Sequence, residues 1–379
     1  MSKKTILGVA ALACAPLLVW AEGGFALGPD AKLHLTLDGQ VRFDDNVRFL
    51  SSNEKEDWVF VAAPGLELNY NGGLSTGSIT LVEQIIRYGD VSAYDGEFFK
   101  GVGEYKYEGA LTKVSGFLSY QELSQGSVTI RNADQAIRHD VANASLEADS
   151  SVTAKTQIGV GLFYDAVNYP GATYADRESY GLPLDVYYEV SPKVDVSVGY
   201  RYRRSLVKET PSTLHSLDSK DHFFNVGARG EFTPKLNGQV RAGYGLRDFD
   251  ETGSRSNFSF SGRLTYVYSP KASFDLSASN DFSNSATGVS QEVFSIRAGA
   301  KFEIAPEWAA YASLSYEATD YEYARSDDFY TGTVGVIYTV NEFASVDASY
   351  LHRSNESSMP GDAYDFSSNI LSLGISLRY

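Results

Sequence analysis

The doublets His139-Asp140 and Asp327-Asp328 have the residue types that acid–base chemistry uses. A hydrolase would hold a water molecule between such carboxylates and an imidazole. However, adjacent residues of a β-strand point to opposite faces, so neither doublet is a ready-made catalytic pair. The sequence also contains no zinc-protease helix motif, no nucleophile elbow with its partners and no phosphate-cradling glycine loop. We therefore expect no catalytic residue, no cofactor and no metal.

Arginine residues recur at alternate positions of several segments. Their chemistry differs from acid–base catalysis. A guanidinium group holds a carboxylate or a phosphate through two hydrogen bonds, and rings of charge set the ion selectivity of a pore. The candidates for lining a lumen and setting its selectivity are Arg42, Arg201, Arg203, Arg241, Arg247, Arg263, Arg297 and Arg378. On the same parity lie Lys301 and the acidic residues Asp38, Glu67, Asp195, Asp275, Glu303 and Asp347. The alternative is that these charges pair across neighbouring strands and only maintain the shape of the protein.

The segments that must position these arginines alternate apolar and polar residues with a period of two. In residues 194–203, the apolar residues Val194, Val196, Val198, Tyr200 and Tyr202 alternate with Asp195, Ser197, Gly199, Arg201 and Arg203. One face of such a strand suits hydrocarbon and the other suits water. A closed cylinder in a membrane satisfies both faces and pairs every backbone group. The mean hydropathy of −0.22 and the aromatic content of 13% are typical of such a barrel, which carries aromatic girdles at both membrane interfaces.

Short turn signals divide the chain into intervals that each hold two such strands and one longer polar loop. They are Asn71-Gly72-Gly73, Glu108-Gly109-Ala110, Asp149-Ser150-Ser151, Ser191-Pro192-Lys193, Thr233-Pro234-Lys235, Ser269-Pro270-Lys271, Ala305-Pro306-Glu307 and Asn341-Glu342. These turns predict eighteen strands, with sixteen as the alternative because residues 180–190 alternate less cleanly. Short periplasmic turns and longer extracellular loops are characteristic of bacterial barrels. The predicted fold is all-β, a transmembrane antiparallel up-and-down β-barrel.

The N-terminus has the pattern of a secretory signal. Lys3 and Lys4 precede an apolar run, residues 6–20, that is too short to span a bilayer. We expect cleavage near Ala21, which would remove Cys14, the only cysteine of the sequence. A lipoprotein anchored through this cysteine is the alternative. The predicted organisation is a signal peptide at residues 1–21, a short periplasmic segment at residues 22–31 and the outer-membrane barrel at residues 32–379.

The C-terminal residues 369–379, NILSLGISLRY, form an alternating strand that ends on an aromatic residue. A transmembrane barrel needs its final strand flush with the wall so that it closes on the first strand. The residues Gly374, Ile375, Leu377 and Tyr379 have the pattern of the signal that outer-membrane assembly machinery reads. We therefore expect that machinery and outer-membrane lipid as partners. The net charge of −16 argues against nucleic acid as a partner.

Three short motifs are spaced through the chain: VRFDDNV at residues 41–47, APGLEL at residues 63–68 and YLHRSN at residues 350–355. Together they resemble the opening and closing signatures of the family named Putative beta-barrel porin 2. The matching positions are Asp44, Asp45, Asn46, Pro64, Gly65, Arg353, Ser354 and Asn355. The resemblance covers almost the whole chain after residue 21. It implies a Gram-negative outer-membrane barrel, in a family whose members often accompany exopolysaccharide synthesis and export, and it offers no catalytic residues.

The motif positions have a structural and a ligand-binding interpretation. As structural residues they would anchor loops. Asp44, Asp45 and Asn46 could instead bind Ca²⁺, because hard cations take clustered oxygen ligands. A turn in which these side chains cap their own backbone is the favoured interpretation.

Three functions are compatible with the sequence. The first choice is a passive outer-membrane channel that passes saccharides or an exported polysaccharide through a polar, charged lumen, because eighteen strands enclose more space than side chains fill. The second is a plugged structural or docking barrel that serves an exopolysaccharide export complex or anchors surface polymer. An outer-membrane hydrolase is the third and weakest. Loops that fold inward would weaken the argument for an open channel.

Overall fold

The computed structural model describes residues 23–124, 137–170, 174–210, 217–322, 325–361 and 364–379. The predicted signal peptide and its cysteine lie outside these ranges. The described strands are β1 Phe25–Ala26, β2 Ala31–Asp44, β3 Asp57–Gly72, β4 Ser75–Tyr88, β5 Gly96–Glu108, β6 Thr112–Ser124, β7 Arg138–Ser151, β8 Thr156–Asn168, β9 Arg177–Ser191, β10 Val194–Val207, β11 Ser219–Thr233, β12 Leu236–Phe249, β13 Gly253–Ser269, β14 Ala272–Asn284, β15 Ser290–Ala305, β16 Trp308–Tyr321, β17 Arg325–Asn341, β18 Ala344–Ser357 and β19 Phe366–Arg378. No helix in the described ranges is long and apolar enough to cross a membrane.

Strands β2 to β19 pair antiparallel in chain order, and β19 pairs with β2 to close the barrel. Closure places Leu373 opposite Val41 and Arg378 opposite Thr36. The barrel therefore has eighteen strands, as predicted, and not sixteen. One end carries the short turns and the other carries most of the longer connections, which confirms the predicted difference between periplasmic turns and extracellular loops.

Two connections differ from the predicted turns. Strand β7 continues to Ser151, so the turn predicted at residues 149–151 lies just after that point. The connection between β12 and β13, predicted as a long loop, comprises only residues 250–252. Gly253 follows it with a φ of 99°, a left-handed conformation that glycine adopts at low cost and that permits the tight return.

The outer face of the barrel is apolar. Side chains predicted to face lipid are exposed there, including Val198 at 67% and Leu314 at 70% exposure. Aromatic rings of neighbouring strands pack side by side on this face, as in Tyr316 and Tyr330, whose ring centroids are 5.1 Å apart. A continuous apolar belt with aromatic residues is suited to hydrocarbon and its interfaces, and the barrel is therefore an integral outer-membrane structure.

The sheet opens between β13 and β14 at the extracellular end of the hairpin that β14 and β15 form. Pairing between β13 and β14 begins at Phe260 and Asn280, although β13 extends outward to Gly253. The two hairpin strands stay paired with each other up to Asn284 and Ser290. The upper part of the hairpin is thus separated from β13, while β15 stays paired with β16 up to Gln291 opposite Tyr321. We call residues 281–290 of the hairpin the inner hairpin tip.

The inner hairpin tip lies inside the mouth of the barrel, and most of its residues are buried. Its Ala286 carbonyl accepts a hydrogen bond from the Ala175 N–H at 2.9 Å, and its Ser285 carbonyl accepts one from Arg177 Nη1 at 3.1 Å. Both donors belong to the β8–β9 side, six strands away along the sheet. An extracellular loop therefore folds inward and crosses part of the mouth.

The β8–β9 connection that receives this tip is itself held in place by Asp176. Burial acts to raise the pKa of the Asp176 carboxyl, but hydrogen bonds from Lys208 Nζ at 2.7 Å and from the Tyr169 N–H at 2.8 Å outweigh it and keep that pKa below its ordinary value. Tyr169 packs in a small apolar group with Ala286 of the tip. The β8–β9 connection is therefore held in place where the inner hairpin tip packs against it.

A second group of buried residues at the extracellular end is apolar. Val59, Ile86 and Phe98 point inward from β3, β4 and β5, and Val47 and Tyr94 from the adjoining connections pack against them with no exposed surface. The inner face is apolar here, unlike the polar inner face that the alternation predicted. The reason is that the β2–β3 connection folds into the lumen and covers these residues, which therefore do not contact water.

The short strand β1 pairs with the periplasmic end of β2, with Phe25 opposite Leu33. Strand β19 ends opposite Thr36, and β1 pairs with the residues of β2 that precede Thr36. The ring of Tyr379 packs between Phe25 and Phe343, with centroid distances of 5.6 Å and 5.9 Å. The first and last described strands thus meet at the periplasmic rim.

Candidate functional site: the charged lumen

The largest cluster of inward charges lies near the extracellular mouth and comprises Arg201, Arg203, Asp221, Arg247 and Asp281, which we call the upper cluster. Asp281 accepts hydrogen bonds from Arg201 at 2.7 Å and from Arg203 at 3.2 Å. Asp221 accepts from Arg203 at 2.6 Å and, through both oxygens, from Arg247 at 2.7 Å and 2.9 Å. Two carboxylates therefore hold three guanidinium groups together.

The bonds of Asp281 cross the lumen. Arg201 and Arg203 are on β10 and Asp281 is on β14, four places away in the sheet. At about 4.8 Å between strands, this separation is roughly 19 Å along the wall. The side chains meet across the lumen, at the height where β14 is no longer paired with β13.

Arg247 joins the wall of the upper cluster to the backbone of the tip. It is 1% exposed and its Nη1 donates to the Ser283 carbonyl at 2.9 Å and to Ser290 Oγ at 3.0 Å. The aromatic ring of Phe282 lies 5.0 Å from its guanidinium carbon and 6.5 Å from the ring of Phe223 on β11. The tip is therefore held by charge, hydrogen bonds and aromatic packing together.

A lower cluster of charges lies on the same wall toward the periplasm. Arg229 donates to Asp149 at 2.6 Å and to Asp195 at 3.2 Å, and its guanidinium lies 3.4 Å from the ring centroid of Tyr187. Arg241 donates to Asp185 at 2.9 Å and to the Tyr187 hydroxyl at 2.7 Å. The bond to Asp149 again joins strands four places apart, β11 and β7.

The adjacent part of the wall, β13 to β16, presents small hydroxyl side chains to the lumen. We call these residues the serine face: Ser259, Ser261, Ser277, Ser279, Ser295, Ser313 and Ser315. Ser279 Oγ and Ser295 Oγ are 2.9 Å apart. Arg263 and Arg297 flank Ser277 in one row of the sheet, and Arg263 is exposed to the lumen. This wall combines small polar groups with cationic side chains.

At the periplasmic end, Arg378 is paired with Glu67. The two side chains share two hydrogen bonds of 3.0 Å and 2.9 Å across the intervening strand β2. Arg378 Nη2 also lies 3.3 Å from Nδ1 of the buried His34. All eight arginines selected from the sequence therefore lie on inward positions, but several of them are ion-paired and only some face open space.

The family-motif residues Asp44, Asp45 and Asn46 lie at the seam where the last strand closes on the first. Asp45 Oδ1 accepts from the Asn369 N–H at 2.7 Å. The Asn46 side chain donates to the Leu50 and Ser367 carbonyls, both at 2.8 Å, and its N–H donates to Asp44 Oδ1 at 2.9 Å. These bonds fix the inward β2–β3 connection to the closing strand.

The remaining motif positions serve the same region. Asn355 is 1% exposed and donates to the Tyr364 carbonyl at 2.9 Å, whereas Ser354 faces outward beside Tyr330. A Cβ atom on Gly65 would lie 2.9 Å from the Leu81 carbonyl oxygen, so glycine suits that close approach of the backbones. The preceding residue Pro64 lies in a stretch of β3 where the pairing with β4 is interrupted, which suits a residue without an N–H.

The motif does not form a ligand pocket. The cavity lined by Arg42, Asp44 and Arg353 has a volume of about 20 Å³, whereas small-molecule pockets measure about 300–1,000 Å³. Among the described residues, no group of three or more His, Cys, Asp or Glu side chains could hold a metal ion.

The two doublets considered for acid–base chemistry are separated as alternation requires. His139 is buried beside Tyr169, with ring centroids 5.3 Å apart, while Asp140 is on the opposite face of β7. Asp327 accepts from Arg325 at 2.9 Å inside the barrel, and Asp328 accepts from the Tyr316 hydroxyl at 2.5 Å on the outer face. Neither doublet brings two catalytic groups together.

The sequence did not identify Asp281 and Asp221 as site residues. Both lie at alternate positions whose side chains face the lumen, but their partners are distant in the chain. Asp281, for example, is 80 residues from Arg201. The only local signal is the acidic residue itself within an alternating segment, and many other positions share it.

The closed barrel with a lipid-facing apolar belt and a charged interior defines the class as an outer-membrane barrel of the porin type. The profile of the family described as Putative beta-barrel porin 2 matches residues 22–379, and the chain belongs to this family. No curated protein matches the chain.

Several solved outer-membrane proteins share low identity with the chain. The outer membrane protein OpdK from Pseudomonas aeruginosa is 12% identical, over 92% of this chain and 99% of that one, with a TM-score of 0.46. A BenF-like porin from Pseudomonas fluorescens Pf-5 is 10% identical, over 93% of this chain and 100% of that one, with a TM-score of 0.48. OccK2 (OpdF) from Pseudomonas aeruginosa, solved in complex with glucuronate, is 11% identical, over 94% of this chain and 100% of that one, with a TM-score of 0.48.

Proposed function

We propose that the barrel is a passive channel for saccharides, including exported polysaccharide, and that solute passes along the serine face. The observation that carries this proposal is the row of serines on β13 to β16, with Ser261, Ser279 and Ser295 directly opposite one another on neighbouring strands. Small side chains leave room beside them. Hydroxyl groups both donate and accept hydrogen bonds, so they can replace the water bonds of a sugar as it moves.

The exposed Arg263 on this wall favours anionic saccharides over neutral ones. It lies directly opposite Ser277 in the sheet. The arginines of the upper and lower clusters are bonded to carboxylates, so they contribute less unbalanced charge to the lumen. Exposed guanidinium groups attract carboxylates and phosphates and bind them with two parallel bonds.

A plugged structural or docking barrel is the second candidate. It is favoured by the inner hairpin tip, whose residues Ala286 and Gly288 are buried across the mouth, and by the apolar group around Val47. In that function the lumen would not conduct, and the extracellular loops would bind an export complex or surface polymer.

Liposome swelling with a small neutral sugar separates the two. The double variant Ser279→Phe/Ser295→Phe places two rings on the serine face, whereas the control Ala278→Phe places one on the lipid side of the same strand. We expect sugar uptake with the wild-type protein and the control and a strong loss in the double variant, all three showing the same heat-modifiable barrel on gels. Uptake that is absent from the folded wild-type protein, or equal in all three, contradicts passage along the serine face.

A further inference from the structure

We infer that the inner hairpin tip is a gate, and that Asp281 is a built-in carboxylate that occupies the binding site for an anionic saccharide and keeps the gate closed. The inference rests on the proposed channel function. It concerns the upper cluster, where Arg201 and Arg203 both donate to Asp281.

Two arginines of the upper cluster, Arg203 and Arg247, are held by the carboxylate of Asp221 and do not need Asp281 to stay in place. Arg203 is also bonded to Asp221 at 2.6 Å, and Asp221 is bonded to Arg247. These three residues are on the adjacent strands β10, β11 and β12, so the wall itself holds two guanidinium groups in position. Removal of the tip would leave a preformed cationic site on the wall, with an arginine fork directed into the lumen.

Asp281 has the chemistry of the ligand that such a site binds. Its two oxygens accept from Arg203 at 3.3 Å and 3.2 Å, in the bidentate arrangement of a carboxylate on a guanidinium group, and one of them also accepts from Arg201. The carboxylate of a uronic acid presents the same two oxygens. A saccharide carrying carboxylates would therefore compete with Asp281 for the same donors.

The wall contains a place for the released tip. The register of β13 and β14 ends at Phe260 opposite Asn280, and β13 continues for seven further residues, 253–259. Continuation of this register would place Ser259 opposite Asp281 and Phe258 opposite Phe282. The tip could thus return to the wall by forming ordinary strand pairs.

The aromatic ring of Phe282 is suited both to the inward position of the tip and to a position in the wall. In the inward position it is 5% exposed and packs on Phe223 and Arg247. In the wall position it would lie beside Phe258, which is 64% exposed on the outer aromatic surface. Because the apolar ring is satisfied in either place, the two states differ mainly in the polar contacts of the tip. These are the bonds of Asp281, the bonds from Arg247 to Ser283 and Ser290, and the contact with Ala175. A ligand shifts such an equilibrium by its different affinity for the two states.

The experiment uses a reversible crosslink of the closed state. Ala175 and Ala286 are buried and joined by a backbone hydrogen bond of 2.9 Å, so the variant Ala175→Cys/Ala286→Cys, in a Cys14→Ser background, places two thiols at the contact. Oxidation would fix the tip inward, and reduction would release it. A second variant, Asp281→Asn, removes the internal carboxylate, and Asp275→Asn, on the same strand and face, is its control.

In planar bilayers we expect low conductance after oxidation, recovery after reduction, and a several-fold higher conductance for Asp281→Asn than for wild type and Asp275→Asn. We also expect oligogalacturonate, an anionic saccharide, to slow formation of the crosslink, and neutral maltotriose not to do so. Equal conductance of the oxidised and reduced forms, with the crosslink confirmed on a gel, overturns the gate. If neither the oxidised nor the reduced form conducts, the proposed channel function is contradicted. In that case the crosslinking rate still tests the competition: a rate that oligogalacturonate leaves unchanged overturns the inference that a saccharide carboxylate competes with Asp281.

Discussion

Arg353 on β18 donates a hydrogen bond to Asp44 Oδ2 on β2 at 3.0 Å, across the closing strand β19. Ser368 of β19 donates to the other oxygen of the same carboxylate at 2.8 Å. Three strands are therefore joined by one buried carboxylate at the place where the two ends of the sheet meet. The barrel seam is fastened by side chains as well as by the backbone pairs of β19 and β2.

Arg353→Ala is expected to destabilise the closed barrel. The side chains of Arg353 and Asp44 are 8% and 7% exposed, and removal of one partner from a buried pair leaves an uncompensated charge, at a cost of about 3–5 kcal/mol. The control is Arg87→Ala: its pair with Glu97 is 44% and 54% exposed, and such pairs contribute less than about 1 kcal/mol. The temperature at which the folded gel band is lost should fall much more for Arg353→Ala. Equal shifts of this temperature in the two variants would show that the buried Arg353–Asp44 pair contributes no more stability than an exposed pair.

Deletion of Tyr379 is expected to reduce barrel assembly in cells more than refolding in detergent. The Tyr379 backbone pairs with Leu35 in both directions, at 2.8 Å and 2.9 Å, so the loss in vitro is limited to these bonds and the ring contacts. In cells the deletion would also remove the terminal aromatic residue of the predicted assembly signal. Heat-modifiable barrel in outer-membrane fractions is the measurement, and wild-type amounts there would refute a role in recognition.

Charge reversal is expected to have different effects at Arg263 and Arg241. Arg263 is exposed to the lumen, so Arg263→Glu should leave the barrel folded and shift the reversal potential toward cation preference. Arg241 is bonded to Asp185, so Arg241→Glu creates two like charges and should lower stability first. Reversal potentials in a salt gradient and unfolding temperatures are compared for both. A folded Arg263→Glu barrel with the wild-type reversal potential would remove this residue from the selectivity-determining set.

The ion pairs of Asp250 at the extracellular rim predict a specific pH dependence of the stability of the barrel. Hydrogen bonds from Arg204 at 2.6 Å and Lys220 at 2.9 Å hold the pKa of the Asp250 carboxyl well below the usual range. A pKa that is lower in the folded state contributes stability that is complete above the unfolded value of about 3.9 and is lost as the pH falls through the folded value. The contribution is less than about 1 kcal/mol because the group is partly exposed.

The measurement for this rim contact is the denaturant midpoint of wild type and Asp250→Asn. The wild-type protein should be slightly more stable, by the same amount from neutral pH to about pH 5, and the difference should shrink below about pH 4. A difference that grows as the solution becomes more acidic would have the wrong sign for a lowered carboxyl pKa.

The sequence was sufficient to predict the wall of the barrel. Alternation in segments such as residues 194–203 determines which residues face lipid, because an exposed Val198 is stable only there. Turn residues such as those around Pro234 and Pro270 mark the periplasmic ends and give the strand count. Both signals are local, and a barrel of sequential hairpins is built mainly from local pairings.

The interior could not be predicted in the same way. Alternation places Phe282 on the outer face, yet the ring is buried inside, because its hairpin leaves the wall and its outer surface packs on β11 and β12. Likewise, nothing near Arg229 in the chain indicates that Asp149, 80 residues away, is its partner. Such contacts depend on how the extracellular connections fold into the lumen, and this is decided by packing between distant strands.

The most direct measurement is the single-channel conductance and reversal potential of the purified protein in a planar bilayer, with oligogalacturonate or maltotriose added to one side. We expect conducting steps, and we expect oligogalacturonate that has entered the open channel to interrupt them at lower concentration than maltotriose does, because the exposed Arg263 lies along the path. A folded barrel that never conducts would contradict the channel and favour the docking function instead.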